Sequence, residues 1–186
     1  MRDDEVLGNV VEQHGPLALD PADDPFERLL VSICRQQVST ASAAATRERL
    51  FAAVEPEPAA VRATDREVLR DAGLSRQKAR YVHEIAAAFA DPDCDLDALD
   101  EASNETIRER LTAITGVGEW TANMQLLFSY GRPDVFPVGD LGIRKGARAV
   151  FDDLDADTER ATIRDRAERW APYRSYASLY LWQLVD

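Results

Sequence analysis

Apolar residues recur along the chain three and four positions apart, and no segment alternates with period two for the length of a strand. Phe26, Leu29, Leu30, Ile33 and Cys34 form one such stripe. Asp24-Pro25 opens it, because an aspartate accepts first-turn N–H groups and a proline has none to leave unpaired. Ser39 predicts the start of a helix reaching Val54, and Thr64 with Glu67 has the spacing of a capping box ahead of Leu69. Ser75 opens a helix with Ala79, Val82, Ala86 and Phe89 on one face, closed by Asp91-Pro92. Further helices are expected from about Ala102 to Ile114, from about Glu119 to near Gly131, from Asp140 to Phe151, from Thr158 to Trp170 and from Tyr173 to Leu184. The fold class that follows is all-α, with roughly ten short helices.

A length of 186 residues is enough to bury a sizeable apolar core, in one domain or in two small lobes. No apolar run reaches membrane-spanning length, and the opening MRDDEVLGNV lacks the basic start and apolar centre of a secretory signal, so a cytoplasmic location is expected. Cys34 and Cys94 are too few for a four-thiolate zinc or iron–sulfur site and read as buried or incidental thiols.

The formal charge of −12, taken as a whole, argues against a nucleic-acid partner. Its make-up changes that reading. Of 22 basic residues only Lys78 and Lys145 are lysines, set against 34 acids. This balance resembles halophilic adaptation to a salty cytoplasm, where screening shortens electrostatic reach and net charge says little about partners. Local charge says more: GDLGIRKGAR, from Gly139 to Arg148, carries three basic residues and one acid.

The stretch TGVGEWTAN, residues 115–123, sets two glycines two positions apart between predicted helices. Such a helix-hairpin-helix lets a phosphate approach the backbone closely, with the N–H groups of the second helix's first turn aimed at it. Those donors are backbone groups and need no lysine. On these residues alone a plain tight connection between helices is an equal reading.

The longer stretch LTAITGVGEWTANMQLLFSYGRPDVFPVGDLGIRKG, residues 111–146, resembles the HhH-GPD DNA glycosylase superfamily, most closely its alkylpurine branch of 3-methyladenine DNA glycosylase II type. DPFERLLVSICRQQVSTASA, LRDAGLSRQKARYVHEIA and AERWAPYRSYASLYLWQL extend the likeness over nearly the whole chain, in order. It implies two helical lobes with the active site in the cleft between them, residues 24–131 as a six-helix lobe carrying the hairpin and residues 1–23 plus 132–186 as a second lobe carrying the catalytic aspartate. The β-rich N-terminal domain of the bacterial inducible enzyme is expected to be missing.

The resemblance implies a monofunctional glycosylase of base-excision repair, a monomer that binds double-stranded DNA holding a damaged base and associates with the nucleoid when acting. Alkylated purines are the implied substrates. Asp140 matches the catalytic position, where a carboxylate stabilises the cation that builds on the sugar as the N-glycosidic bond breaks. Capping the following helix is its alternative role, and Asp134 is its nearest competitor. Where lyase members carry a nucleophilic lysine, this chain has Trp120. Trp120, Met124 and Trp182 match base-pocket positions, suited to a cationic alkylated base. Met124 departs from the tyrosine of the inducible enzyme, and Trp182 has a core role as its alternative.

Gln37 matches the residue that fills the gap left by the flipped nucleotide, although Gln36 and Gln37 also read as a solvated helix end. Gln36, Gly116, Gly118, Thr121, Arg144 and Lys145 complete the expected DNA contacts. The carbonyls of Thr112, Ile114 and Val117 match the family's site for a Na+ or K+ ion. No organic cofactor and no iron–sulfur cluster is expected. Removal of uracil, hypoxanthine or a mismatched base, a non-catalytic DNA-binding module and a structural helical protein remain as alternatives.

Overall fold

Eleven α-helices and two short 3₁₀ turns, with no strand, make up the regular structure of the described residues, 1–91 and 97–185 of this computed structural model. Pro92 and Cys94, the expected helix stop and incidental thiol, lie outside the described residues. The chain forms two compact units: Ala22–Tyr130 is continuous, whereas Met1–Pro21 and Gly131–Asp186 come together from the two ends. No described helix is long and apolar enough to cross a membrane.

In the continuous unit, α2 (Pro25–Arg35) packs against α3 (Thr40–Ala53), α6 (Arg76–Phe89) and α8 (Glu119–Phe128). Asp24 starts α2 as its sequence predicts, accepting the N–H of Phe26 at 2.7 Å and of Glu27 at 3.1 Å. The stripe Phe26, Leu29, Leu30 and Ile33 is buried, each side chain contributing about 1.5–3 kcal/mol by leaving water. Ser39 and Ser75 cap α3 and α6 through the N–H groups of Ser42 and Lys78.

Thr64 does not cap as expected. Its hydroxyl donates to Ala60 O at the end of α4 (Pro58–Ala63), and Asp65 caps α5 (Arg66–Asp71) through the Glu67 N–H. A carboxylate is the stronger acceptor, so the residue one place on takes the cap. Ser103 caps α7 (Asn104–Thr112), with a 3₁₀ turn, Asp97–Glu101, before it. Every residue of α8 from Thr121 to Leu127 is buried, the state of a helix enclosed on all faces.

The second unit contains α1 (Gly8–His14), α9 (Leu141–Val150), α10 (Arg160–Ala167), a 3₁₀ turn (Glu168–Trp170) and α11 (Arg174–Gln183). Its core gathers Leu7, Ile143, Ala147, Phe151, Trp170 and Leu181. At Gly146 the α9 backbone approaches α11 so closely that a Cβ would stand 2.3 Å from Leu181 O. Ser175 Oγ donates to Arg132 O at 2.6 Å and accepts the Val135 N–H at 2.8 Å, tying the approach segment to α11. Both features fix the head of α9, where Asp140 sits.

Candidate functional site

Asp140 is the N-cap of α9, and its Oδ1 accepts two hydrogen bonds: the Ile143 N–H at 3.1 Å and the Trp182 indole N–H at 3.0 Å. The cap role and a positioned carboxylate therefore coexist. Gly142 makes the second bond feasible, since a Cβ there would stand 2.8 Å from Trp182 Cδ1 and 3.0 Å from Asp140 Oδ1. Trp182 is half-buried and packs at the edge of the core while its indole nitrogen donates to Asp140. Leu141, next to Asp140, is 55% exposed, an apolar side chain left open beside a carboxylate.

Arg144 Nη1 donates to the carbonyls of Val138 at 3.1 Å, Gly139 at 2.7 Å and Asp140 at 3.2 Å, folding the approach loop around one guanidinium. Burial first, then the charges of Arg160 and Arg148, hold this guanidinium below its ordinary pKa range, which marks a local basic cluster in an acidic chain. Lys145 is exposed.

Asp134, the competitor for the catalytic role, is engaged elsewhere. Arg174 grips it as a fork, Nε to Oδ1 at 2.7 Å and Nη2 to Oδ2 at 2.8 Å, and holds its pKa below the usual carboxylate range. A carboxylate with a lowered folded pKa adds stability that is complete above its unfolded value of about 3.9 and disappears as pH falls through the folded one. Asp134→Asn is expected to flatten the acid limb of a melting-temperature profile below about pH 4, and an unaltered limb would contradict this assignment.

The hairpin lies in the continuous unit. Residues 112–118, Gln36, Gln37, Lys78, Tyr81 and Trp120 line an open recess of about 770 Å³. Gly116 has φ +98° and a Cβ there would stand 2.2 Å from Tyr81 Cγ, so the protein's own packing demands glycine. Gly118 is different. Its φ is −92°, nothing lies within 4 Å of where its Cβ would be, and no side chain caps the helix it opens.

Trp120 is half-buried and Met124 nearly covered at 6% exposure, one turn apart on the same face of α8. Gln37 is exposed with φ +57°, whereas Gln36 turns inward, its Nε2 donating to Gly116 O and Thr121 Oγ1, both at 3.2 Å. Thr121 is buried at 2% exposure. Of the three residues matched to the cation site, Ile114 and Val117 are buried and Thr112 is exposed. Its hydroxyl is turned to the Arg108 and Glu109 carbonyls. Three neutral backbone oxygens suit a monovalent ion better than a divalent one, which favours carboxylates.

Lys78, Tyr81, Leu141 and Gly142 were not singled out by sequence reasoning. The scarcity of lysine is the one signal that pointed to Lys78; the other three acquire roles through partners distant in the chain.

Residues 30–172 match the HhH-GPD superfamily of base excision DNA repair proteins. DNA-3-methyladenine glycosylase 1 of Schizosaccharomyces pombe is 34% identical over 86% of this chain and 72% of its own length. YfjP of Bacillus subtilis is 30% identical over 97% of this chain, which spans 66% of that relative's length. The fold matches the S. pombe 3-methyladenine DNA glycosylase Mag1 in complex with abasic DNA, at TM-score 0.85 and 32% identity over 97% of this chain and 91% of that one. With the family match spanning most of the sequence and an all-helical fold to accompany it, the chain belongs to the HhH-GPD superfamily of base excision DNA repair proteins.

Proposed function

We propose that this protein is a DNA-3-methyladenine glycosylase that hydrolyses the N-glycosidic bond of alkylated purines in duplex DNA and leaves an abasic site. The observation that carries the reading is Asp140 at the head of α9, held through one oxygen by a backbone N–H and the Trp182 indole. Two donors on the same oxygen hold the carboxylate in one orientation, as charge stabilisation requires. As the bond to the base breaks, positive charge gathers on the sugar, and the Asp140 carboxylate stabilises it and orients the attacking water. Alkylation at N3 or N7 makes the base cationic, which favours aromatic faces; in one unit Trp182 lies against Asp140, and in the other Trp120 stands one turn from Met124.

The names of the relatives support the substrate class, and the Mag1 complex with abasic DNA supports a DNA partner. Gly118 supports the phosphate grip: no internal packing calls for glycine there, while a closely approaching phosphate does. The carbonyls of Thr112, Ile114 and Val117 would hold a Na+ or K+ ion, which would supply positive charge toward the phosphate. Gln37 and Lys145 take the exposed DNA contacts. Gln36, Thr121 and Arg144, engaged inside the protein, act by holding the loops that reach the DNA. With Trp120 where a Schiff-base lysine would stand, no strand cleavage accompanies base release.

Duplexes carrying 7-methylguanine, 3-methyladenine, hypoxanthine or uracil provide the test, with abasic sites revealed by alkali at low and high salt. The methylated purines are expected to be released as free bases, with the strand intact until alkali is added. Release of uracil or hypoxanthine alone would overturn the substrate class, and scission without alkali would overturn the monofunctional reading.

A further inference from the structure

We propose that Lys78 is a positioning residue that holds the Gln36–Gln37 turn in the conformation that presents Gln37 to DNA. The inference rests on the functional reading above, with Gln37 in the gap-filling role that the family resemblance implies.

The carbonyls at a helix C-terminus have no partners within the helix, and glycine or asparagine usually takes the left-handed position that closes it. Here Gln36 is the C-cap of α2, and the left-handed residue after it is Gln37, with φ +57°. A glutamine has a Cβ that disfavours this backbone, so something outside the turn must favour it. Lys78 reaches in from α6 and its Nζ donates to Cys34 O at 3.0 Å and to Gln36 O at 2.7 Å. One ammonium thus gathers two carbonyls at the end of α2, the second of them in the peptide that joins Gln36 to Gln37.

The place of Lys78 in its own helix makes the contact more telling. It is the third residue of α6, where a cation opposes the helix dipole and an acid would be the stabilising choice. It is also half-buried, and burial lowers its pKa, a further cost that α6 alone gives no reason to bear. In a chain with 20 arginines and two lysines, a compact ammonium occupies this one crowded turn. The residues flanking the bend then diverge. Gln36 sends its amide to Gly116 O and Thr121 Oγ1 at the hairpin, and Gln37 is left exposed at the rim of the same recess. Lys78 therefore holds the turn from which Gln36 reaches the hairpin and Gln37 is left exposed.

Single-turnover base release from two 7-methylguanine substrates tests the proposal: a fully paired duplex, and one in which the lesion lies in a bulge and is already out of the stack. Lys78→Met keeps the length of the stem and removes the charge. It is expected to slow release about tenfold or more on the paired duplex and clearly less on the bulge, where filling the gap matters less. Lys78→Arg should recover part of the loss. In a Gln37→Asn background, where the left-handed backbone is better tolerated, Lys78→Met should cost less than it does in the wild type. Equal losses on both substrates, no loss on the paired duplex, or full additivity with Gln37→Asn would each overturn the proposal. A wild-type protein that releases base from neither substrate would instead sink the functional reading, and the inference with it. Should Lys78→Met fail to fold, the paired-to-bulge ratio of Lys78→Arg decides: a ratio unchanged from wild type at reduced overall rate overturns the positioning role, and a selective loss on the paired duplex supports it.

Discussion

Asp140→Asn is expected to reduce single-turnover release of 7-methylguanine by about 10²–10³-fold, the scale at which a preorganised electrostatic group contributes to a transition state. The fold should survive. Asparagine is as good an N-cap as aspartate, so the Ile143 N–H keeps an acceptor and the start of α9 keeps its cap. The side-chain oxygen can also still accept from the Trp182 indole. What disappears is the negative charge opposite the developing sugar cation. The variant thus separates the helix cap from the proposed role as electrostatic stabiliser. Thermal unfolding and base release are to be measured on the same preparation. Full turnover by the variant would show that another group carries the chemistry, and a large drop in melting temperature would show that the charge matters chiefly to α9.

The hairpin glycines separate in the opposite way. Gly116→Ala is expected to lower stability by about 2–4 kcal/mol, because alanine disfavours φ +98° and its methyl would be driven into the Tyr81 ring. Gly118→Ala should fold within about 1 kcal/mol of the wild type, since its backbone is ordinary and the space beside it is open. Its duplex affinity should nevertheless fall by about tenfold at fixed salt, because the added methyl occupies the approach of a phosphate to the first turn of α8. The pair is measured by thermal unfolding and by titration with a fluorescent duplex. Unchanged affinity in Gly118→Ala would remove the hairpin from the DNA contact and leave it a connection between helices.

Much of the fold was legible because helix starts are local events. Asp24, Ser39, Ser75 and Asp140 each accept from N–H groups two or three residues on, and nothing distant is needed to decide them. The error at Thr64 shows the limit of that rule: two cap-competent residues stood side by side, and the carboxylate of Asp65 took the bond. α1 and α4 escaped notice because seven and six residues are too few for a 3.6-residue period to declare itself. At the site, TGVG and the aspartate after PVG were visible as short patterns. What favours Asp140 over Asp134 in the proposed role is the partner of each: Arg174 grips Asp134, and Trp182, 42 residues away, donates to Asp140.

Taken by itself, the amino-acid sequence determined where helices begin, which faces they bury and which residue types stand at the hairpin and after it. These follow from covalent geometry, side-chain volume and hydrogen bonds that span three or four residues. Tertiary structure alone decided that Gly142 leaves room for an indole to reach Asp140, that Gly116 rests on Tyr81, and that Lys78 closes the end of α2. Each of these depends on atoms brought within a few ångströms by packing between helices far apart in the chain, and no local pattern encodes such a distance.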